Sequence, residues 1–246
     1  MPARPVLTEA IRKTPRGAII YDSDILDEVS DEMFRARGWA NSAPVGGALR
    51  SAGRGNTQIV SDGKREYVLR KFVRGGMIGR LIKDTYFWTG ENETRSFAEW
   101  RLLSKLAARG LNVPIPAAAR YRRMAMFYTA DLLTVRIPGI RSLAERLLES
   151  PATADFWQSL GVQIYRVHAE GVYHADMNAY NVQLDQDDTL WLLDFDRGKL
   201  SPEGTWKQET LGRLHRSLQK IRNLSPQVRF ADPDWDQLLE GYFSES

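Results

Sequence analysis

Cysteine is absent from this 246-residue chain. Disulfides, thiolate zinc sites and a cysteine nucleophile are therefore excluded. Histidine is nearly as scarce. His168, His174 and His215 are the only three, too few and too scattered for a histidine-built metal site. A divalent metal held by carboxylate and amide oxygens remains open. No run approaches about 18 consecutive apolar residues, so no segment reads as a membrane-spanning helix. The opening stretch, MPARPVLTEAIRKTPRG, lacks the apolar core of a secretory signal. The chain is accordingly expected in the cytosol or on the cytosolic face of a membrane.

A hydrophobic share of 43% and seven tryptophans supply enough apolar matter for one large core or two modest ones. Net charge is only +3, but its distribution is uneven. Between Lys64 and Lys83 lie Lys64, Arg65, Arg70, Lys71, Arg74, Arg80 and Lys83, opposed by Glu66 alone. Such a run suits phosphates, nucleic acid or an acidic lipid surface, and equally a solvated face.

Residues 1–50 read as polar and irregular, with a weakly helical stretch near Ser23–Arg37. Gly46, Gly47, Gly53 and Gly55 then mark loop and turn. Two strand-like runs, Thr57–Ser61 and Glu66–Val73, flank Asp62-Gly63, a strong hairpin signal. Thr94–Arg109 carries Phe97, Trp100, Leu103 and Ala107 on one stripe, which predicts a helix ended by Gly110. Strand-like segments follow at Arg123–Tyr128 and Asp131–Ile137, closed by Pro138-Gly139. After that the pattern turns helical: Ser142–Leu148, Thr153–Glu170 and Trp206–Arg222, with a short apolar strand at Leu190–Leu193. Sheet with one helix first and helices second predicts an α+β layout of two lobes, residues 1–136 and 137–246. Ligand clefts tend to form at such joints.

The residues that carry chemistry cluster in the second part. His174-Ala-Asp176-Met-Asn-Ala-Tyr-Asn181 is followed by Asp194 in WLLDFD. Phosphoryl transfer needs a carboxylate to orient or deprotonate the attacking hydroxyl, and oxygen ligands to hold magnesium against the phosphates. Asp176 fits the first task. Asn181 and Asp194 fit the second, because hard amide and carboxylate oxygens are what magnesium prefers. The interval from Asp176 to Asn181 equals that of the kinase catalytic loop, H-R-D-x-x-x-x-N. Upstream, Gly53-Arg-Gly55 is suited to covering phosphates with main-chain N–H groups, or to a plain hairpin turn. A kinase-type site also wants a cation on its third strand, and Val68-Leu-Arg70-Lys71 offers two. Arg70 shares a face with Val68 and Phe72, Lys71 with Tyr67 and Leu69, so alternation does not decide. Glu99, in SFAEWRLL, is the acidic residue of the following helix that would pair with such a cation.

These segments resemble the 3-deoxy-D-manno-octulosonic acid (Kdo) kinases, relatives of the lipopolysaccharide core heptose kinases and, more distantly, of protein kinases. The matching stretches are GRGNT, YVLRKFVRGGMIGRLIKDTYFWTG, TRSFAEWRLLSKL, ADLLTVRIPG, GVYHADMNAYNVQLD and LLDFDRG, from Gly53 to Gly198. The resemblance implies a two-lobed protein-kinase-like fold, with an antiparallel sheet and one main helix in the N-lobe and a mostly helical C-lobe. It also implies transfer of the γ-phosphate of ATP, with Mg2+, to the 4-hydroxyl of Kdo on a lipid A precursor. By position, Asp176 is the catalytic base, Asn181 and Asp194 are magnesium ligands, Glu99 is the helix partner, and Arg70 is the phosphate-gripping cation, with Lys71 as the alternative. Gly53 and Gly55 fall in the nucleotide-covering loop. The implied location is the cytoplasmic face of the inner membrane, held peripherally, with Arg74, Arg80 and Lys83 docking an anionic headgroup.

Departures from protein kinases narrow the substrate. Ala175 replaces the arginine of H-R-D and Asp196 the glycine of D-F-G, and no A-P-E segment follows. A peptide-binding platform is therefore not expected; a small or lipid-linked hydroxyl acceptor is. A core heptose or an aminoglycoside-like compound is the alternative acceptor. A catalytically silent or nucleic-acid-binding use of the fold is disfavoured by the intact Asp176, Asn181 and Asp194 and by the lack of a basic-aromatic strand motif.

Overall fold

A computed structural model of the chain describes residues 7–44, 57–73 and 84–245, in two units, Met1–Ile137 and Pro138–Ser246. The first unit contains β1 (Glu9–Thr14), β2 (Gly17–Asp22), β3 (Asn41–Pro44), β4 (Thr57–Ser61), β5 (Glu66–Lys71), β6 (Tyr86–Phe87), α1 (Arg95–Ala108), β7 (Pro116–Met124) and β8 (Phe127–Val135). Its strands form an antiparallel sheet in the order β1-β2-β7-β8-β5-β4-β3, with β6 beside β8. The β4–β5 hairpin turns at Asp62-Gly63. There Gly63 takes φ 89° at no steric cost, and the Asp62 carboxylate accepts the N–H groups of Lys64 and Arg65 at 2.8 and 2.7 Å.

Adjacent residues on β7 show how the two faces of this sheet are covered. Tyr121 meets Phe97 of α1 edge-on at 5.3 Å. Its neighbour Arg120 points the other way, donating to the Asp31 side chain at 2.8 Å and lying 4.5 Å over the Phe34 ring. The helix therefore packs on one face, burying Phe97, Trp100, Leu103 and Leu106. Each such side chain contributes roughly 1.5–3 kcal/mol. The segment around Leu26, Val29 and Phe34 packs on the other, against Ile19, Val60, Tyr67, Leu69 and Leu133. Arg120 is fully buried, and its guanidinium meets Asp131, its cross-strand partner on β8, at 2.7 and 3.0 Å.

Three expectations change here. Residues 9–22, expected to be irregular, form the β1–β2 hairpin. Ser23–Arg37 contains only short 3₁₀ turns, Asp31–Phe34 and Ala36–Gly38. The first is held by Arg120, which meets Asp31 and Phe34, a tertiary contact that helical periodicity does not register. The strand expected at Arg123–Tyr128 instead straddles a two-residue turn between β7 and β8. The missed strand residues Ala117, Ala118 and Ala119 are fully buried in the sheet. Alanine has little strand preference of its own, so burial rather than propensity places them there.

The second unit contains β9 (Arg141–Ser142), α2 (Leu143–Glu149), α3 (Ala154–Ala169), β10 (Val172–Tyr173), β11 (Val182–Leu184), β12 (Leu190–Leu192), β13 (Lys199–Leu200), α4 (Trp206–Leu224) and α5 (Asp232–Phe243). Ser142 caps α2 in a reciprocal box with Glu145. The sequence reading did not anticipate α5. It lies against α3 at close range: a Cβ on Gly161 would come 2.0 Å from the Leu238 carbonyl oxygen, and one on Gly241 2.0 Å from that of Gln158. His168 of α3 and Tyr242 of α5 are hydrogen-bonded at 2.8 Å in the same interior.

Candidate active site

α3 stops at Gly171, whose φ of 74° turns the chain into β10, and β10 delivers His174 to the interior. The imidazole is buried and meets Phe195 edge-on at 4.8 Å. Nε2 lies 2.9 Å from the Leu193 carbonyl, while Nδ1 lies 3.3 Å from the Asp176 N–H. A carbonyl can only accept and an N–H can only donate, so the partners assign the neutral tautomer carrying its proton on Nε2. Burial pushes the ring below its ordinary pKa, against the opposing pull of the Leu193 carbonyl, Asp194 and Asp176. His174 is thus a brace that orients the main chain of Asp176.

Asn178 folds the loop between Asp176 and Asn181. Its Oδ1 accepts the N–H groups of Tyr180 and Asn181 at 2.9 and 3.1 Å, and its Nδ2 donates to the Asp176 carbonyl at 3.0 Å. The Asn181 side chain donates through Nδ2 to that same carbonyl at 2.8 Å. Its orientation is therefore set, with Oδ1 left as the end that can coordinate a cation. The β11–β12 register pairs Val182 with Leu192, and one step further the Leu193 N–H donates to the Asn181 carbonyl at 3.0 Å. Leu193 is therefore gripped on one side by Asn181 and on the other by His174. Asp194, the next residue, leaves the strand at φ 64°, a left-handed conformation that non-glycine residues adopt at a cost. Asp176, Asn181 and Asp194 thus issue from one interlocked piece of main chain.

Two residues of α4 complete the loop, and the sequence reading missed both. The Arg213 guanidinium donates to the Ala175 carbonyl, and Ser217 accepts the Ala179 N–H on its hydroxyl at 3.1 Å. Four residues apart, they lie on one helical face. The only available signal was that spacing, beside an apolar stripe of Leu211, Leu214 and Leu218 that dominates the pattern. Among the described residues no three histidine, cysteine or acidic side chains cluster as a metal site. The amide oxygen of Asn181 and the carboxylate of Asp194, just beyond β12, are hard donors of the kind that fits magnesium.

In the first unit, Arg70 Nη2 lies 2.5 Å from Glu99 Oε2, with the Glu99 side chain only 2% exposed. Lys71 pairs with Asp84 at 2.6 Å in a more exposed setting. The register explains the choice. Arg70 stands opposite Leu132, which stands opposite Ala119, and Ala119 shares the α1 face with Tyr121. Lys71 stands opposite Asp131 on the other face. Gly53 and Gly55 lie outside the described residues, as do Arg74, Arg80 and Lys83 and the glycines among them.

Comparison with known proteins identifies the family. The model of the lipopolysaccharide kinase (Kdo/WaaP) family matches residues 40–242. A 3-deoxy-D-manno-octulosonic acid kinase of Vibrio vulnificus (strain YJ016) is 39% identical over 231 residues, 94% of this chain and 96% of that protein. The enzyme of the same name from Xylella fastidiosa (strain 9a5c) is 41% identical over 241 residues, 98% of this chain and 95% of its own. Among solved structures, monomeric WbdD aligns with 83% of this chain at 16% identity and a TM-score of 0.47. This chain spans about half of that one, 49% of its length.

Proposed function

Because the chain belongs to the lipopolysaccharide kinase (Kdo/WaaP) family, we propose that it transfers the γ-phosphoryl group of ATP to the 4-hydroxyl of Kdo on a lipid A precursor. The relatives named as Kdo kinases match nearly end to end, which supports Kdo as the acceptor. The observation that carries the chemistry is the double grip on Leu193, because it gathers a candidate base and two candidate metal ligands on one scaffold.

In this reading the Asp176 carboxylate accepts the proton of the sugar hydroxyl as the new oxygen–phosphorus bond forms and the bond to the β-phosphate oxygen breaks, releasing ADP. Asn181 and the Asp194 carboxylate would hold Mg2+. When bound, the ion supplies positive charge against the phosphates. Arg70, fixed by Glu99, contacts the α- and β-phosphates, and Gly53 and Gly55 supply main-chain donors to the nucleotide. His174, Asn178, Arg213 and Ser217 hold the loop rigid, so that no reorganisation is needed during transfer. The enzyme works at the cytoplasmic face of the inner membrane as a peripheral protein, in contact with its lipid-linked acceptor.

Incubation with γ-labelled ATP and either Kdo-bearing or bare lipid A precursor tests the acceptor. Label is expected on the Kdo-bearing lipid only. Label on the bare precursor, or on neither, would overturn the assignment.

A further inference from the structure

The ladder registers set Phe87 of β6 opposite Phe127 of β8, and Phe127 opposite Met124 of β7. Directly paired residues share a face of a pleated sheet, so the three side chains form one row. The row is apolar and open. Phe87 is 56% exposed, Met124 55% and Phe127 40%, and Met126 in the connecting turn is 61% exposed. Phe87 and Phe127 meet edge-on at 6.2 Å. Ala125 in that turn holds a left-handed φ of 51°, where asparagine or glycine would sit without strain. The chain thus spends conformational strain to place Met-Ala-Met at the end of its sheet.

Cations stand at the same tip, with Arg123 on the opposite face of the sheet. Exposed Arg123 donates its main-chain N–H to the carbonyl of exposed Arg16 at 2.6 Å, which joins the β1–β2 turn to this tip. The Arg123 guanidinium lies 4.9 Å over the ring of half-buried Trp88. Nearby carboxylates are already engaged, Glu91 by Lys13 at 2.6 Å and Asp84 by Lys71 at 2.6 Å. Four apolar side chains on a hairpin tip are too few for a standard protein interface. They are of the kind that enters the boundary between headgroups and acyl chains, with arginine and tryptophan at headgroup level.

We propose that this tip, Phe87 with Met124, Met126 and Phe127, is the surface by which the protein docks on an anionic lipid bilayer. The apolar row enters the interface, and Arg16 and Arg123 contact headgroup phosphates. The inference rests on the peripheral-membrane reading above and names the surface responsible.

The test is sedimentation of the full chain, without nucleotide or acceptor, with vesicles of phosphatidylglycerol and phosphatidylethanolamine, or of phosphatidylcholine alone. The unaltered chain is expected to bind the anionic vesicles at least tenfold more tightly. Phe87→Ser combined with Met126→Ser should weaken that binding at least tenfold, with an unchanged thermal midpoint showing that the fold survives. Leu224→Ser, at a 74% exposed position of α4, should leave binding as it was. Arg123→Gln should reduce the preference for anionic vesicles several-fold. Undiminished vesicle binding by the double variant, or an equal loss with Leu224→Ser, overturns the proposal. So does lipid-free self-association that the double variant abolishes while vesicle binding persists. Vesicle binding without label transfer to the Kdo lipid would defeat the kinase reading and leave this surface standing; transfer without vesicle binding would do the reverse.

Discussion

The carbonyl of Leu193 accepts a hydrogen bond from His174 Nε2 at 2.9 Å, one residue before Asp194 and across the loop that carries Asp176. The histidine's other nitrogen is held by the Asp176 N–H at 3.3 Å. One buried ring therefore fixes the relative placement of two carboxylates that lie far apart in sequence.

His174→Phe removes both bonds while roughly keeping the volume. Turnover should fall by about 10²-fold or more, since small misplacements of reacting groups cost that much. Asp176→Asn should lower turnover by roughly 10²-fold or more while leaving the urea midpoint unchanged, as expected for loss of a positioned base. Steady-state kinetics on the Kdo lipid decide both; turnover retained by Asp176→Asn would remove the assignment of the base.

Arg70 and Lys71 should separate cleanly. Arg70→Ala removes the guanidinium that meets the buried Glu99 carboxylate and should destabilise the fold more than Lys71→Ala does, because water cannot replace a partner lost from a buried ion pair. Lys71→Ala breaks a pair whose side chains are 39% and 36% exposed and should cost less than about 1 kcal/mol. The KM for ATP should rise for Arg70→Ala only. Urea unfolding and ATP titration measure the two effects, and equal losses would contradict the register-based choice.

All three histidines are pushed below their ordinary pKa, chiefly by burial. His168 is lowered to about 3, with Lys207 and His174 adding to the effect. Unfolded histidine titrates near 6.5, so below that pH the unfolded chain takes up protons that the folded chain refuses. The neutral rings therefore stabilise the fold fully above about pH 6.5. That contribution is lost as pH falls toward the folded value, about 3 for His168. Between pH 6.5 and 5, His168→Phe should reduce the pH dependence of stability by about one proton, or about 1.4 kcal/mol per pH unit. Urea midpoints across that range provide the check; an identical slope in the variant would count against a neutral His168.

Gly161→Ala and Gly241→Ala test how closely α3 and α5 approach. Alanine favours helix by about 1 kcal/mol over glycine. Here each new Cβ would lie 2.0 Å from a main-chain oxygen of the facing helix. Backbone cannot yield as a side-chain tip does, so each variant should be net destabilised by about 1–3 kcal/mol. A raised thermal midpoint for either would show the helices to be farther apart.

Local signals were legible where a single rule sufficed. Asp62-Gly63 announced its turn, the stripe Phe97–Trp100–Leu103 its helix, and the motifs around Asp176, Asn181 and Asp194 the family to which the chain belongs. The β1–β2 hairpin and the alanine-rich half of β7 were not legible, because their strand state comes from partners rather than from their own side-chain preferences. Asn178 was visible as part of a motif, but its several bonds were not. Arg213 and Ser217 were hidden, since a polar pair on an amphipathic helix looks like any solvated face.

Sequence by itself determined which residue types are available for phosphoryl transfer, and in what order, because the chemistry of a carboxylate or an amide belongs to the side chain. Only the tertiary structure decided which of Arg70 and Lys71 pairs with Glu99. Adjacent residues on a strand are equivalent until pairing with β8 assigns one of them to the face that carries α1 and the buried carboxylate of Glu99. It also decided that His174 braces the loop as a neutral ring, since a tautomer is fixed by the partners on its two nitrogens and those partners are main-chain atoms that no sequence pattern records.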